Sequence, residues 1–98
     1  MIKVKISKKS IEVSGHAKYA AHGKDIVCAA VSSITITTVN AILKFDENAI
    51  NYKEDNGYLK IDILKNNKAT KLLLENMIEL LEELEKQYEK NIKISREV

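Results

Sequence analysis

Between Asp25 and Phe45 the chain reads DIVCAAVSSITITTVNAILKF, twenty-one residues with neither glycine nor proline. A strand of that length does not suit a chain of 98 residues, because strands in globular domains usually end within about ten. The run is therefore expected to be a helix about 30 Å long, which needs another layer to cover its apolar side. Its middle, SITITTV, pulls the other way, since β-branched residues alternate there as in a strand and lose side-chain freedom in a helix. Helical spacing still gathers Val27, Val31, Ile34, Ala41 or Ile42, and Phe45 on one face, with Thr35 and Thr38 near its edge. Asp25 suits the N-cap.

The flanking segments carry the strand period. Ile2, Val4 and Ile6 alternate with Lys3 and Lys5, and a turn at Lys8 and Lys9 returns the chain as SIEVSGHA with Ile11 and Val13 facing inward. The second strand thus delivers Gly15 and His16 to its C-terminal end. From Ala17 to Lys24 apolar periodicity disappears, which marks a loop. Beyond the long helix, AINYKEDNGYLKIDIL reads as two strands around Asn56 and Gly57, a dipeptide suited to a tight hairpin turn. Asn67 or Thr70 can cap a second helix whose Leu73, Met77, Leu80, Leu81, Leu84 and Tyr88 share helical spacing, and NIKIS is a possible short fifth strand. The order β-β-α-β-β-α points to an α+β two-layer sandwich with a mainly antiparallel sheet, in a single domain spanning residues 1–98.

Composition narrows the classes of function. Sixteen Lys and Arg against fourteen Asp and Glu leave a net charge of +2, and one Phe, four Tyr and no Trp offer no stacking platform, so no direct nucleic-acid partner is expected. No apolar run is read as reaching the length of a membrane span, so no membrane partner is expected either. A lone cysteine cannot form an intramolecular disulfide, and the opening residues lack the pattern of a signal peptide, which suits a cytoplasmic protein with a reduced thiol. A chain this short buries a thin core, for which a homodimer is a natural supplement.

Both histidines and the cysteine fall within GHAKYAAHGKDIVC, Gly15 to Cys28. With Asp25 as N-cap, Cys28 is the third helical residue, beside the unsatisfied N–H groups and positive dipole end that favour a thiolate. His16 at the end of a neighbouring strand could serve as its base. Residue by residue, plainer roles compete. Cys28 in VCAAV could be a small core residue, His22 a solvated loop residue, and Asp25 only a cap. Ser32, one turn beyond Cys28, could donate toward the site or bond back to its own helix. One cysteine and two histidines fall short of a structural zinc site, no phosphate-cradling glycine loop exists, and neither a metal nor a cofactor is expected. The glutamates of the second helix are most simply its solvated face.

SGHA, a short loop, and then GKDIVCAAVS resemble the ribosomal-processing cysteine protease family, called Prp, through Gly15, His16, Asp25, Cys28 and Ser32 at the spacings that family shows. The order of elements agrees across nearly the whole chain, while the Thr-rich stretch after Ser33 departs from a more Ala/Leu-rich helix. The resemblance implies a small dimeric cysteine endopeptidase that removes an N-terminal extension from the twenty-seventh protein of the large ribosomal subunit. Cys28 would be the nucleophile and His16 its base, supported by Gly15, Asp25 and Ser32. Ala17, Lys18, Tyr19, Ala20, Ala21, His22, Gly23 and Lys24 would form a loop that moves as the substrate peptide enters. Two other classes compete with it. A non-catalytic ribosome-assembly adaptor would keep its binding without the thiol, and a redox-sensing thiol would be modified by peroxide without peptide turnover.

Overall fold

Alternating apolar residues at both ends of the chain assemble into one sheet. In the computed structural model, which describes residues 1–15, 26–55 and 57–97, the strands are β1 (Ile2–Ile6), β2 (Ser10–Ser14), β3 (Ile50–Asp55), β4 (Tyr58–Ile63) and β5 (Ile92–Arg96). They lie in the order β3-β4-β2-β1-β5, with every neighbouring pair antiparallel except β1 and β5. The short fifth strand foreseen in NIKIS therefore makes the sheet mixed, and its parallel pairing needs the long crossover that the second helix provides.

The period of two sorts each strand onto faces. Ile2, Val4, Ile6, Ile11, Val13, Leu59, Ile61 and Ile92 are buried together on one side. On the other side, Lys53, Lys60, Glu12 and Lys5 stand in register across four strands, with Lys60 Nζ 3.9 Å from Glu12 and 3.7 Å from Asp62. Only the apolar face can take helices, and α1 (Ile26–Phe45) and α2 (Lys68–Gln87) supply that second layer, giving the α+β sandwich expected.

The buried stripe of α1 is Val27, Cys28, Val31, Thr35, Thr38, Val39 and Ile42. Thr35 and Thr38 thus sit within the face rather than at its edge, while Ile34 and Ala41 are half-buried. Burial of two hydroxyls is tolerable because each bonds back to its own helix: Thr35 Oγ1 donates to the Val31 carbonyl at 2.8 Å and Thr38 Oγ1 to the Ile34 carbonyl at 2.9 Å. Phe45, placed by spacing on the core face, is exposed, as is Ile26 at the other end. A helix of twenty residues is about 30 Å long and the strands beneath it about half that, so both ends overhang. The same length corrects the reading that no run reaches a membrane span, since α1 is long and apolar enough to cross one. Here its buried stripe is part of the core.

In α2 the buried stripe is Thr70, Leu74, Met77 and Leu81, with Leu73, Leu84 and Tyr88 packed at its borders. Leu80, expected in the core, lies on the outer flank and is exposed. Of the two candidate caps, Asn67 does the work, its side chain accepting the Thr70 N–H at 2.8 Å.

Strand β2 ends at Ser14, and Gly15 follows it outside the strand. Gly15 leaves the strand with φ +87°, and its N–H donates to the Gly57 carbonyl at 2.9 Å. A Cβ added at Gly15 would meet the Met1 carbonyl oxygen at 2.5 Å, so backbone angle and space both demand glycine. Gly57, with φ +90°, makes the hairpin turn between β3 and β4.

Two substitutions check these local explanations by urea unfolding. Thr35→Val exchanges a back-bonded hydroxyl for a methyl group and leaves no backbone group unpaired, so stability is expected within about 1 kcal/mol of the parent. Gly15→Ala is expected to cost at least about 2 kcal/mol, from positive φ together with a backbone clash.

Candidate active site

The chain's single cysteine, Cys28, is the third residue of α1 and is only 1% exposed. At that position its N–H belongs to the first turn, whose donors have no partner within the helix, and the positive end of the helix dipole lies beside its sulfur. No acidic residue occupies that first turn to offset the field. Burial among apolar side chains acts on a thiol in the opposite sense to a helix start, and Cys28 is subject to both.

Topology sets the neighbourhood. The C-terminus of α1 turns through Asp46 and Ala49 into β3, whose Ile50 pairs with Ile63 at one end of the sheet. The N-terminus of α1 is therefore directed to the opposite end, where Gly15 leaves β2 beside Gly57 and Met1. Ser32 lies one turn beyond Cys28 and is half-buried, and its carbonyl accepts the Thr35 hydroxyl at 3.2 Å.

Cys28, Ser32 and Gly15 are thus placed by the structure, with the cysteine at the helix start and the glycine at the root of the segment that follows β2. His16, Asp25, His22 and the rest of 17–24 lie outside the described residues. Among the described residues no group of three or more His, Cys, Asp and Glu side chains is arranged to hold a metal ion. Gly57 was legible only as a turn residue. Its carbonyl in fact fixes the Gly15 N–H, a role set by the β2–β4 pairing, which no local pattern announces.

The burial of Cys28 has a chemical consequence. At 1% exposure its sulfur is almost entirely withdrawn from solvent. An apolar surrounding also excludes water, which strengthens any charge interaction made there.

Comparison with known proteins covers nearly the whole chain. Residues 1–93 match the family model described as cysteine protease Prp. The ribosomal processing cysteine protease Prp of Bacillus subtilis strain 168 is 32% identical over 96 residues, covering 91% of this chain and 86% of the relative. That of Staphylococcus aureus strain Mu50 is 35% identical over 86 residues, covering 85% and 81%. Among solved structures, the essential ribosomal processing protease Prp from S. aureus in complex with a substrate peptide superposes with a TM-score of 0.89 at 28% identity, covering 99% of this chain and all of that one. The same protease with a covalently linked product peptide superposes with a TM-score of 0.90 at 29% identity. By the family model and these relatives, the chain belongs to the Prp family of cysteine proteases.

Proposed function

We propose that this chain is a sequence-specific endopeptidase that removes the N-terminal extension of the twenty-seventh large-subunit ribosomal protein, with Cys28 as nucleophile and His16 as base. The observation that carries the reading is that a chain of a cysteine protease family has one cysteine, and that residue opens a helix. The covalently linked product peptide held by the S. aureus protease supports covalent chemistry for this fold. The choice of substrate rests on the relatives' naming as ribosomal processing proteases and on the family resemblance.

In this reading His16 accepts the Cys28 proton, and the thiolate attacks the scissile carbonyl. The resulting oxyanion is held by N–H groups at the start of α1, Cys28's own among them. The imidazolium then gives its proton to the leaving amine, and water, deprotonated by His16, releases the acyl group and regenerates the thiol. Asp25 and Ser32 support the pair, Gly15 sets where the segment bearing His16 begins, and 17–24 closes over the peptide and then opens.

The enzyme acts in the cytoplasm as a homodimer. The outer side of α1 supports the dimer: Ile26, Ala29, Ser33, Ile36, Thr37 and Asn40 are exposed, and this face carries no charge before Lys44. Such a surface suits a partner helix better than water.

A peptide spanning the extension and the mature start of the ribosomal protein, incubated with the wild-type chain and followed by mass spectrometry, tests the reading. A single cut is expected, reduced at least about a thousand-fold in Cys28→Ala. Binding without a cut by either chain would instead support the adaptor.

A further inference from the structure

At the end of the sheet remote from Cys28, the β1–β2 turn, the end of β4 and the start of α2 enclose a groove of about 520 Å³. It is separated from the Gly15 end by the length of β2, about 13 Å. Its floor is apolar, made by Ile6, Ile11, Ile63, Leu74 and Ile78, and Leu64 stands exposed at its mouth.

Charge around this floor is one-sided. Lys8, Lys9 and Lys71 line the groove, and among the described residues none of them is in an ion pair. Lys65 is occupied: its Nζ lies 3.0 Å from Asp46, whose carboxyl is held below the usual carboxylate range by the Asn48 N–H and by Lys65 itself. Glu75 is the acidic member of the lining. The N-terminal turn of α2 adds its positive dipole end to the three lysines.

A second observation points to a ligand. Thr70, in that first turn, lines the groove, is 1% exposed, and its hydroxyl oxygen has no hydrogen-bond partner. Buried hydroxyls are nearly always satisfied, so one left over at the wall of a cavity marks a place where an incoming oxygen would be welcome.

We propose that this groove binds a small anionic amphiphile, an apolar chain ending in a carboxylate or comparable acid. The chain covers the isoleucine and leucine floor, and the acid meets Lys8, Lys9 and Lys71. The volume lies within the range of about 300–1,000 Å³ typical of small-molecule sites. An apolar pocket with a few converging polar groups is the usual form of such a site.

The test titrates decanoate, below its micelle concentration, into the ¹⁵N-labelled full chain and follows amide shifts. Saturable shifts are expected in Ser7, Lys8, Lys9, Asn66, Thr70 and Lys71. Decanol, lacking the charge, and acetate, lacking the chain, are expected to bind at least tenfold more weakly. Lys9→Glu combined with Lys71→Glu is expected to weaken decanoate at least tenfold at unchanged Tm, and Thr70→Val to weaken it at an equal or higher Tm. Absence of saturation, equal binding of decanol, or shifts centred elsewhere would overturn the proposal. So would a groove that ignores decanoate and takes a peptide of leucine and glutamate, which would make it a protein-docking surface.

Discussion

The fold depends on the burial of one stripe of α1 against the single apolar face of the sheet. Val27, Val31, Val39 and Ile42 lie over strands whose inward residues are almost all isoleucine, valine and leucine, and the opposite face is lined with lysine, glutamate and aspartate. Helices can therefore cover only one side, and two layers follow. In the middle of that stripe stand Thr35 and Thr38, whose hydroxyls would be costly in a core if they did not bond to carbonyls one turn back. Those bonds reconcile a β-branched sequence with a buried helix.

The same packing explains why the candidate nucleophile stands at a helix start and is nevertheless covered. Cys28 belongs to the buried stripe by its spacing from Val31, Thr35 and Ile42, yet it is also the third residue of the helix, where the dipole's positive end lies. The two readings weighed from sequence, core cysteine and catalytic cysteine, are thus compatible in geometry. A core position shields the sulfur from water, and a helix start sets it in a positive field. What remains is access, and the glycines bear on it: Gly15, bonded to Gly57 and backed by the Met1 carbonyl, fixes the exact point at which the chain departs from the sheet.

Much of this was legible in local patterns. The strand alternation around Val4 and Ile11, the hairpin at Gly57, the cap at Asn67 and the helical reading of residues 26–45 each rest on short-range rules that tertiary structure did not overrule. The misses fall where neighbours far apart in sequence decide. Phe45 and Leu80 follow helical spacing but lie beyond the edge or flank of the sheet, and Thr35 is drawn inward because Val31 and Val39 on either side of it are. The pairing of β2 with β4, and with it the role of Gly57, has no local signal. Within the candidate site, Cys28 was singled out by its place at the start of an apolar helix and His16 by its place after the second strand, and the family motif then favoured a catalytic reading of both over the plainer ones.

The central claim is that Cys28 is a nucleophile exposed by a local opening and not a cysteine buried for the life of the fold. Its alkylation by iodoacetamide at pH 6, measured across sub-denaturing urea concentrations, tests this most directly. A rate that exceeds global unfolding and stays flat in urea until the unfolding transition is the predicted result, because a local opening exposes little surface and an activated thiol reacts at that pH. A rate that climbs with urea in step with global unfolding would contradict the account and return Cys28 to the core.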